Sequence, residues 1–302
     1  MVTDPLDRFV ETPTLRMCYR DEGDPSHEPV LMIMGLMSQL IHWPQEIVDA
    51  LVAAGYRVIR LDNRDSGLTT WRGEAPDGYR LTDMADDAVA LLDHLAIEQA
   101  NVVGASMGGM ISQRLAIDHP ERVRTLCSIM STTGNALVGW AKPGVIDELI
   151  KPMPEDRDQA IAQIVSNYEL IGSTTYAAEE RPVRENLAAT SYDRALGDDG
   201  KPLHPEGGRR QVGAILNGGD RTMKLRTLTV DTLVIHGNED SLIHISGGRA
   251  THDAITNSTW LAHPADNGDD GVDAMGHDLP TPLHDVIANA IVANITRQAA
   301  VG

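Results

Sequence analysis

An α/β architecture, a mostly parallel sheet flanked by helices, is what this sequence predicts, and three observations predict it. Short apolar runs of strand length alternate with amphipathic helical patterns through the first half of the chain, the order that builds parallel strands joined by crossover helices. The same order resumes after about residue 227. Between the two, from Thr133 to Arg226, the β-rich runs vanish and Pro, Gly and charged loops separate short helical pieces. A stretch of roughly 90 residues is too long for an ordinary loop. The chain therefore divides into a first core part, 1–132, a helical insertion, 133–226, and a second core part, 227–302.

Each element has its own signature. VLMIMG (Val30 to Gly35) is a continuous apolar run of buried-strand length, ended by a glycine. PQEIVDALVAAG (Pro44 to Gly55) is a helix with Pro in its first turn and Gly at its C-terminal end. YRVIRLDN (Tyr56 to Asn63) is the next strand. LTDMADDAVALLDHL (Leu81 to Leu95) is a helix with Thr82 as N-cap and early acids that suit its dipole. NVVGAS runs straight into MGGMISQRLAIDH, a strand passing into a helix at a glycine-rich turn, and VRTLCSIMS (Val123 to Ser131) is another buried strand. Within the insertion, DQAIAQIVSNYELI and the stretch from Glu185 to Thr190 are helical. DTLVIHGNED (Asp231 to Asp240) resumes the strand-then-loop pattern, STWLAHP (Ser258 to Pro264) is a last strand, and LHDVIANAIVANI (Leu283 to Ile295) is a closing amphipathic helix.

Composition bounds the partners. With 302 residues, 42% apolar and 23% charged, the chain can bury a sizeable core and reads as soluble and globular. The longest run without a polar residue, Val30 to Met37, has eight residues, far short of the roughly 18 that cross a bilayer. The N-terminus MVTDPLDRFV is acidic, without the apolar region of a signal peptide. A net charge of −19 and the lack of any basic stripe argue against nucleic acid as a partner. Cys18 and Cys127 sit in strand-like stretches without metal spacing, so reduced buried thiols and a cytoplasmic location are expected.

The strongest chemical signal is Gly104-Ala105-Ser106-Met107-Gly108-Gly109. A G-x-S-x-G match alone is weak, and a glycine-rich phosphate-binding turn is its bland alternative. Here the serine lies between a short apolar strand and a helix, the strand–turn–helix of a nucleophile elbow. A serine hydroxyl needs a base to take its proton, and the base needs an orienting acid. In elbow-type chains these follow in the order Ser, acid, His. Asp240 lies just past the strand LVIHG, and His277, in AMGHDLP, lies between the last strand and the last helix. Asp266, Asp269, Asp270 and Asp273 are rival acids on a glycine-containing loop, and His236, within the strand, reads as a satisfied half-buried histidine. The oxyanion of a tetrahedral intermediate needs donors. The N–H of Met107 and the N–H of Leu36, after the turn-permitting Gly35, are the candidates. No HExxH or tight cluster suggests a metal, and no cofactor is implied.

Together these residues resemble the α/β-hydrolase superfamily, and more closely its carboxylesterase and lipase branch related to aclacinomycin methylesterase. The resemblance rests on MGLMSQLIHWP, LDNRDSGLT, YRLTDMADDAVALLDHL leading to VVGASMGGM, HGNEDSLI and MGHDLP. It covers nearly the whole chain and is weakest in the insertion, which takes the position of the family's helical cap. It implies Ser106, Asp240 and His277 as a catalytic triad, with Leu36 and Met107 as oxyanion donors. Asp62 and Arg64 match a turn where a buried ion pair would brace the sheet edge. The acidic loop PADNGDDGVD, before His277, departs from the branch. It resembles a calcium loop only superficially, because Gly268 falls where a ligand is needed, and it reads as solvated.

The expected function is a cofactor-independent serine hydrolase cleaving small apolar carboxylic esters. Met37, Trp43, Met110, Trp140 and Tyr192 are candidates to line an apolar substrate pocket. Perhydrolase or cofactor-free haloperoxidase activity would use the same triad. A receptor that keeps the triad but signals through its cap is the alternative from another class.

Overall fold

A computed structural model of the chain describes residues 3–72 and 78–299, and the side chains of residues 267–269 and 298–299, Asp269 among them, lie outside the described set. The first core part runs β1 (Arg8–Glu11), β2 (Leu15–Glu22), β3 (Glu28–Ile33), α1 (Gln45–Ala53), β4 (Tyr56–Leu61), β5 (Thr70–Trp71), α2 (Leu81–His94), β6 (Ala100–Ala105), α3 (Met107–Asp118) and β7 (Val123–Ile129). The insertion carries α4 (Val145–Leu149), α5 (Arg157–Ile171), α6 (Ala177–Arg194), α7 (Gly207–Leu216) and α8 (Thr222–Leu225). The second core part adds β8 (Asp231–Ile235), α9 (Ser246–Ala254), β9 (Ser258–Trp260) and α10 (His284–Ala299).

The strands form one sheet in the order β1-β2-β4-β3-β6-β7-β8-β9, with β5 beside β2. β1, β2 and β5 pair antiparallel, and every pairing from β4 through β9 is parallel. Parallel strands covered on both faces should read as unbroken apolar runs rather than alternating ones, which is why VLMIMG and NVVGA carried so clear a signal. Side-chain alternation splits them between two cores. Leu31, Ile33 and Val102 face the side covered by Met84, Leu91, Ile111 and Leu115 of α2 and α3. Val30, Met32 and Val103 face the side covered by Ile47 and Leu51 of α1 and by Ile287 and Ile291 of α10. β3 lies between β4 and β6, so the connections leave it in opposite directions along the sheet. That reversal marks the carboxyl ends of β3 and β6 as the place where ligands of open α/β sheets bind.

Helix ends differ in detail from expectation. Pro44 is the N-cap of α1 rather than a residue of its first turn. α2 starts one residue before Thr82, with Arg80 as N-cap; the Asp83 carboxylate accepts the Arg80 N–H at 2.6 Å, so the acid supplies the cap that Thr82 was expected to give. β8 and β9 stop at Ile235 and Trp260, short of the runs that announced them. Cys18 and Cys127 are buried, free and on β2 and β7.

The insertion leaves the sheet after β7 and returns at β8, yet β7 and β8 pair directly, from Thr125 with Asp231 to Ile129 with Ile235. All four lysines of the chain, Lys142, Lys151, Lys201 and Lys224, lie within it and are exposed. Among the described residues no helix is long and apolar enough to cross a membrane, and no group of three or more His, Cys, Asp or Glu is placed to hold a metal ion.

Candidate active site

β6 ends at Ala105 and α3 begins at Met107, leaving Ser106 alone in the turn at φ 57°, ψ −121°. A non-glycine residue at positive φ is strained and must be held by its surroundings. The Ser106 N–H donates to the Ile129 carbonyl at 2.9 Å, and the Ser106 carbonyl accepts from the Ser131 hydroxyl at 2.8 Å and from the N–H groups of Gly109 and Met110. The neighbouring glycines are needed for close approach. A Cβ on Gly104 would collide with the Gly108 carbonyl, one on Gly108 with the Ile33 carbonyl, and one on Gly35 would sit 3.0 Å from the Ser106 Cβ.

The Ser106 Oγ lies 2.8 Å from His277 Nε2, and His277 Nδ1 lies 2.8 Å from Asp240 Oδ2. A carboxylate only accepts, so Nδ1 carries the ring proton and the lone pair of Nε2 faces the hydroxyl. Asp240 is fixed by its own loop, Oδ1 accepting the N–H groups of Leu242 and Ile243 at 2.9 and 2.8 Å. Burial pushes this carboxyl toward protonation. The adjacent His277, then the hydrogen bonds from His236 and His277, overrule it and hold the group well below the usual carboxylate range.

Two expectations for this neighbourhood are corrected. His236 is fully buried rather than half-buried, and only one of its nitrogens is satisfied. Its Nε2–H donates to the Ile243 carbonyl at 2.8 Å and lies 3.3 Å from Asp240 Oδ2, while Nδ1 has no hydrogen-bond partner among the described residues. Asp62 and Arg64 do not pair with each other. Arg64 forks onto Asp87 of α2 at 2.6 and 2.7 Å, and Asp62 binds Arg194 of α6 at 2.7 Å while accepting the N–H groups of Leu40 and Leu68.

The insertion touches the site from two sides. His277 N–H donates to the Ile171 carbonyl at the end of α5 at 2.7 Å, and Asp278 accepts from Ser173 N–H and from Arg184 at 3.0 and 2.8 Å. On the other side Asp65 takes both arms of Arg210 of α7 at 2.7 and 2.8 Å, and the Met37 N–H donates to Gln211 Oε1 at 2.7 Å. Arg184, Arg194, Arg210, Gln211 and Asp278 carried no local signal in the sequence, because each matters only through a partner distant along the chain.

The expected oxyanion donors flank the serine. Leu36 follows the glycine that abuts Ser106, and Met107 opens α3, where a first-turn N–H has no intrahelical acceptor. Among the described residues no acceptor takes either N–H. The expected pocket residues scatter. Trp43, 1% exposed just before α1, and Met110, on the buried face of α3, belong to the hydrophobic cores. Met37 is exposed at φ 55° beside the site. Trp140 is 55% exposed and stacks on His244 at 5.0 Å, and Tyr192 is half-buried on α6. Of the loop acids, Asp273 accepts from Asn238 at 2.7 Å and does not bond His277.

Comparison with known proteins places the chain in a family. The model of the α/β-hydrolase fold matches residues 28–266, most of the chain. The chain belongs to the α/β-hydrolase family. This α/β hydrolase is 29% identical over 304 residues to the rhodomycin D methylesterase of Streptomyces peucetius, covering 92% of this chain and 94% of that one. It is 38% identical over 120 residues, 40% of this chain and 43% of the other, to a Mycobacterium tuberculosis protein provisionally named a non-heme bromoperoxidase. Among solved structures, a meta-cleavage product hydrolase superposes with a TM-score of 0.75 at 20% identity, covering 97% of this chain and 98% of that one; at that identity the likeness shows the fold alone.

Proposed function

We propose that this α/β hydrolase is a serine esterase cleaving carboxylic esters through Ser106, His277 and Asp240. The observation that carries the reading is the unbroken hydrogen-bonded chain from Ser106 Oγ through His277 to Asp240, with the serine on a strained elbow. His277 Nε2 takes the hydroxyl proton as Oγ attacks the ester carbonyl, and the N–H groups of Leu36 and Met107 hold the oxyanion. Collapse breaks the ester C–O bond, and the alcohol leaves with the proton from His277. Water then repeats the steps on the acyl-serine, returning acid and free enzyme. Asp240 stays ionised throughout and stabilises the imidazolium. The insertion serves as a cap over the carboxyl ends of β3 and β6, with Met37, Trp140 and Tyr192 contributing to the acyl or alcohol pocket.

The bromoperoxidase relative favours one second reading, in which hydrogen peroxide replaces water in deacylation and releases a peracid. Turnover of a p-nitrophenyl ester panel together with methyl esters tests the primary reading. Ser106→Ala, which removes one oxygen, should abolish turnover and covalent labelling by a fluorophosphonate while the fold persists. Labelling of the variant at the wild-type rate would remove Ser106 from the chemistry. Peracid formation with added peroxide, outpacing ester hydrolysis, would favour the second reading.

A further inference from the structure

The loop that supplies the expected second oxyanion donor is held by a residue of the insertion. The Gly35 carbonyl accepts the Ser38 N–H at 3.2 Å, closing a four-residue turn. In a trans peptide the Leu36 N–H points opposite to the Gly35 carbonyl, so this turn decides where the donor aims. Its third residue, Met37, sits at φ 55°, a position that such turns normally give to glycine or asparagine. Left alone, the turn would relax and carry the Leu36 N–H with it.

Gln211 prevents that. Its side chain is fully buried, and both ends of the amide are used. Oε1 accepts the Met37 N–H at 2.7 Å, while Nε2 donates to the Arg64 carbonyl at 2.7 Å and to the Ser66 hydroxyl at 2.9 Å. One end meets a donor and the other meets a carbonyl, so only one orientation of the amide fits. Its helix is itself anchored, since the neighbouring Arg210 forks onto Asp65 at 2.7 and 2.8 Å.

We propose that Gln211 is a positioning residue for the oxyanion donor, its amide holding the Gly35–Ser38 turn so that the Leu36 N–H aims at the acyl oxygen on Ser106. The proposal rests on the serine-esterase reading. It makes helix α7 of the insertion part of the transition-state machinery through the turn that Gln211 holds.

The test compares Gln211→Leu, which keeps the bulk and loses every hydrogen bond, with Gln211→Glu, which keeps an acceptor for the Met37 N–H. With p-nitrophenyl acetate, Gln211→Leu should lower kcat by roughly 10- to 100-fold with KM within about twofold of wild type. Affinity for phenylboronic acid, which forms a tetrahedral adduct on the serine, should fall in parallel. Gln211→Glu should recover part of both losses. If folded Gln211→Leu keeps wild-type kcat and boronate affinity, or if Gln211→Glu loses as much as Gln211→Leu, the positioning role is wrong. Should Gln211→Leu fail to fold, Gln211→Met, which keeps the chain length and loses both the carbonyl acceptor for the Met37 N–H and the amide donors, takes its place: wild-type KM with kcat and boronate affinity lowered together supports the role, and unchanged kcat overturns it. Absence of ester turnover by wild type, or retention of it in Ser106→Ala, would instead be a failure of the esterase reading.

Discussion

Asp240 illustrates what a single side chain must satisfy here. It accepts two backbone N–H groups on one oxygen and the His277 ring on the other, so its position depends on its own loop and not on the acidic segment nearer His277 in sequence. Asp240→Asn should therefore lower kcat by orders of magnitude with little effect on KM, since the amide would present a donor to Nδ1–H and favour the wrong tautomer. Asp273→Asn, whose carboxylate meets only Asn238 among the described residues, should stay within severalfold of wild type. Steady-state kinetics on one ester separates the two, and an essential Asp273 would transfer the acid's role to the loop. The sequence made Ser106, Asp240 and His277 legible because each sits at a strand end flagged by glycine or by a strand-loop pattern. The second imidazole on Asp240 was misjudged because strand position says nothing of what lies across the loop. His236 reaches Ile243 and Asp240 only after that loop folds back over it.

At the scale of elements, the insertion is fastened to the loop after β4 by two ion pairs, Asp62 with Arg194 of α6 and Asp65 with Arg210 of α7. The first is fully buried, and breaking such a pair strands an uncompensated charge. Arg194→Met should cost about 3–5 kcal/mol of unfolding free energy, measured by urea denaturation, and adding Asp62→Asn to it should restore part of the loss. A double variant less stable than the single would mean that Asp62 contributes mainly through its bonds to the Leu40 and Leu68 N–H groups. This fastening was invisible beforehand. Asp62 and Arg194 are 132 residues apart, and no periodicity links them, so the nearby Arg64 was the only partner the turn motif could suggest. The strands were legible for the opposite reason, since burial on both faces is written into consecutive residues.

Across the whole molecule, buried titratable groups set how stability answers to pH. Burial lowers His42, hydrogen-bonded to Tyr168 of α5 at 2.8 Å, to about 4. Between roughly 6.5 and 4 the unfolded chain then binds the proton that the folded one refuses, so this group's contribution is present at neutral pH and lost on acidification. Burial raises Asp87 to about 6 despite its Arg64 partner, and its contribution has the opposite sign, present in acid and lost as pH rises through about 6. The stability difference between wild type and His42→Gln should therefore shrink from pH 7 to pH 4 in urea titrations; a difference independent of pH would exclude His42 as a source of acid sensitivity. The distribution of lysine has a different, practical consequence. Every side-chain amine projects from the insertion, while β7 and β8 are zipped together beneath it. Coupling to a resin that reacts with lysine amines would thus grip the molecule by residues 133–226 and leave the lysine-free strands unmodified. Lys142, Lys151 and Lys201 are each followed by proline, so a lysine-specific protease would favour the bond after Lys224, and the two pieces would stay joined through the paired strands, a nicked protein still carrying Ser106 and His277 on one scaffold.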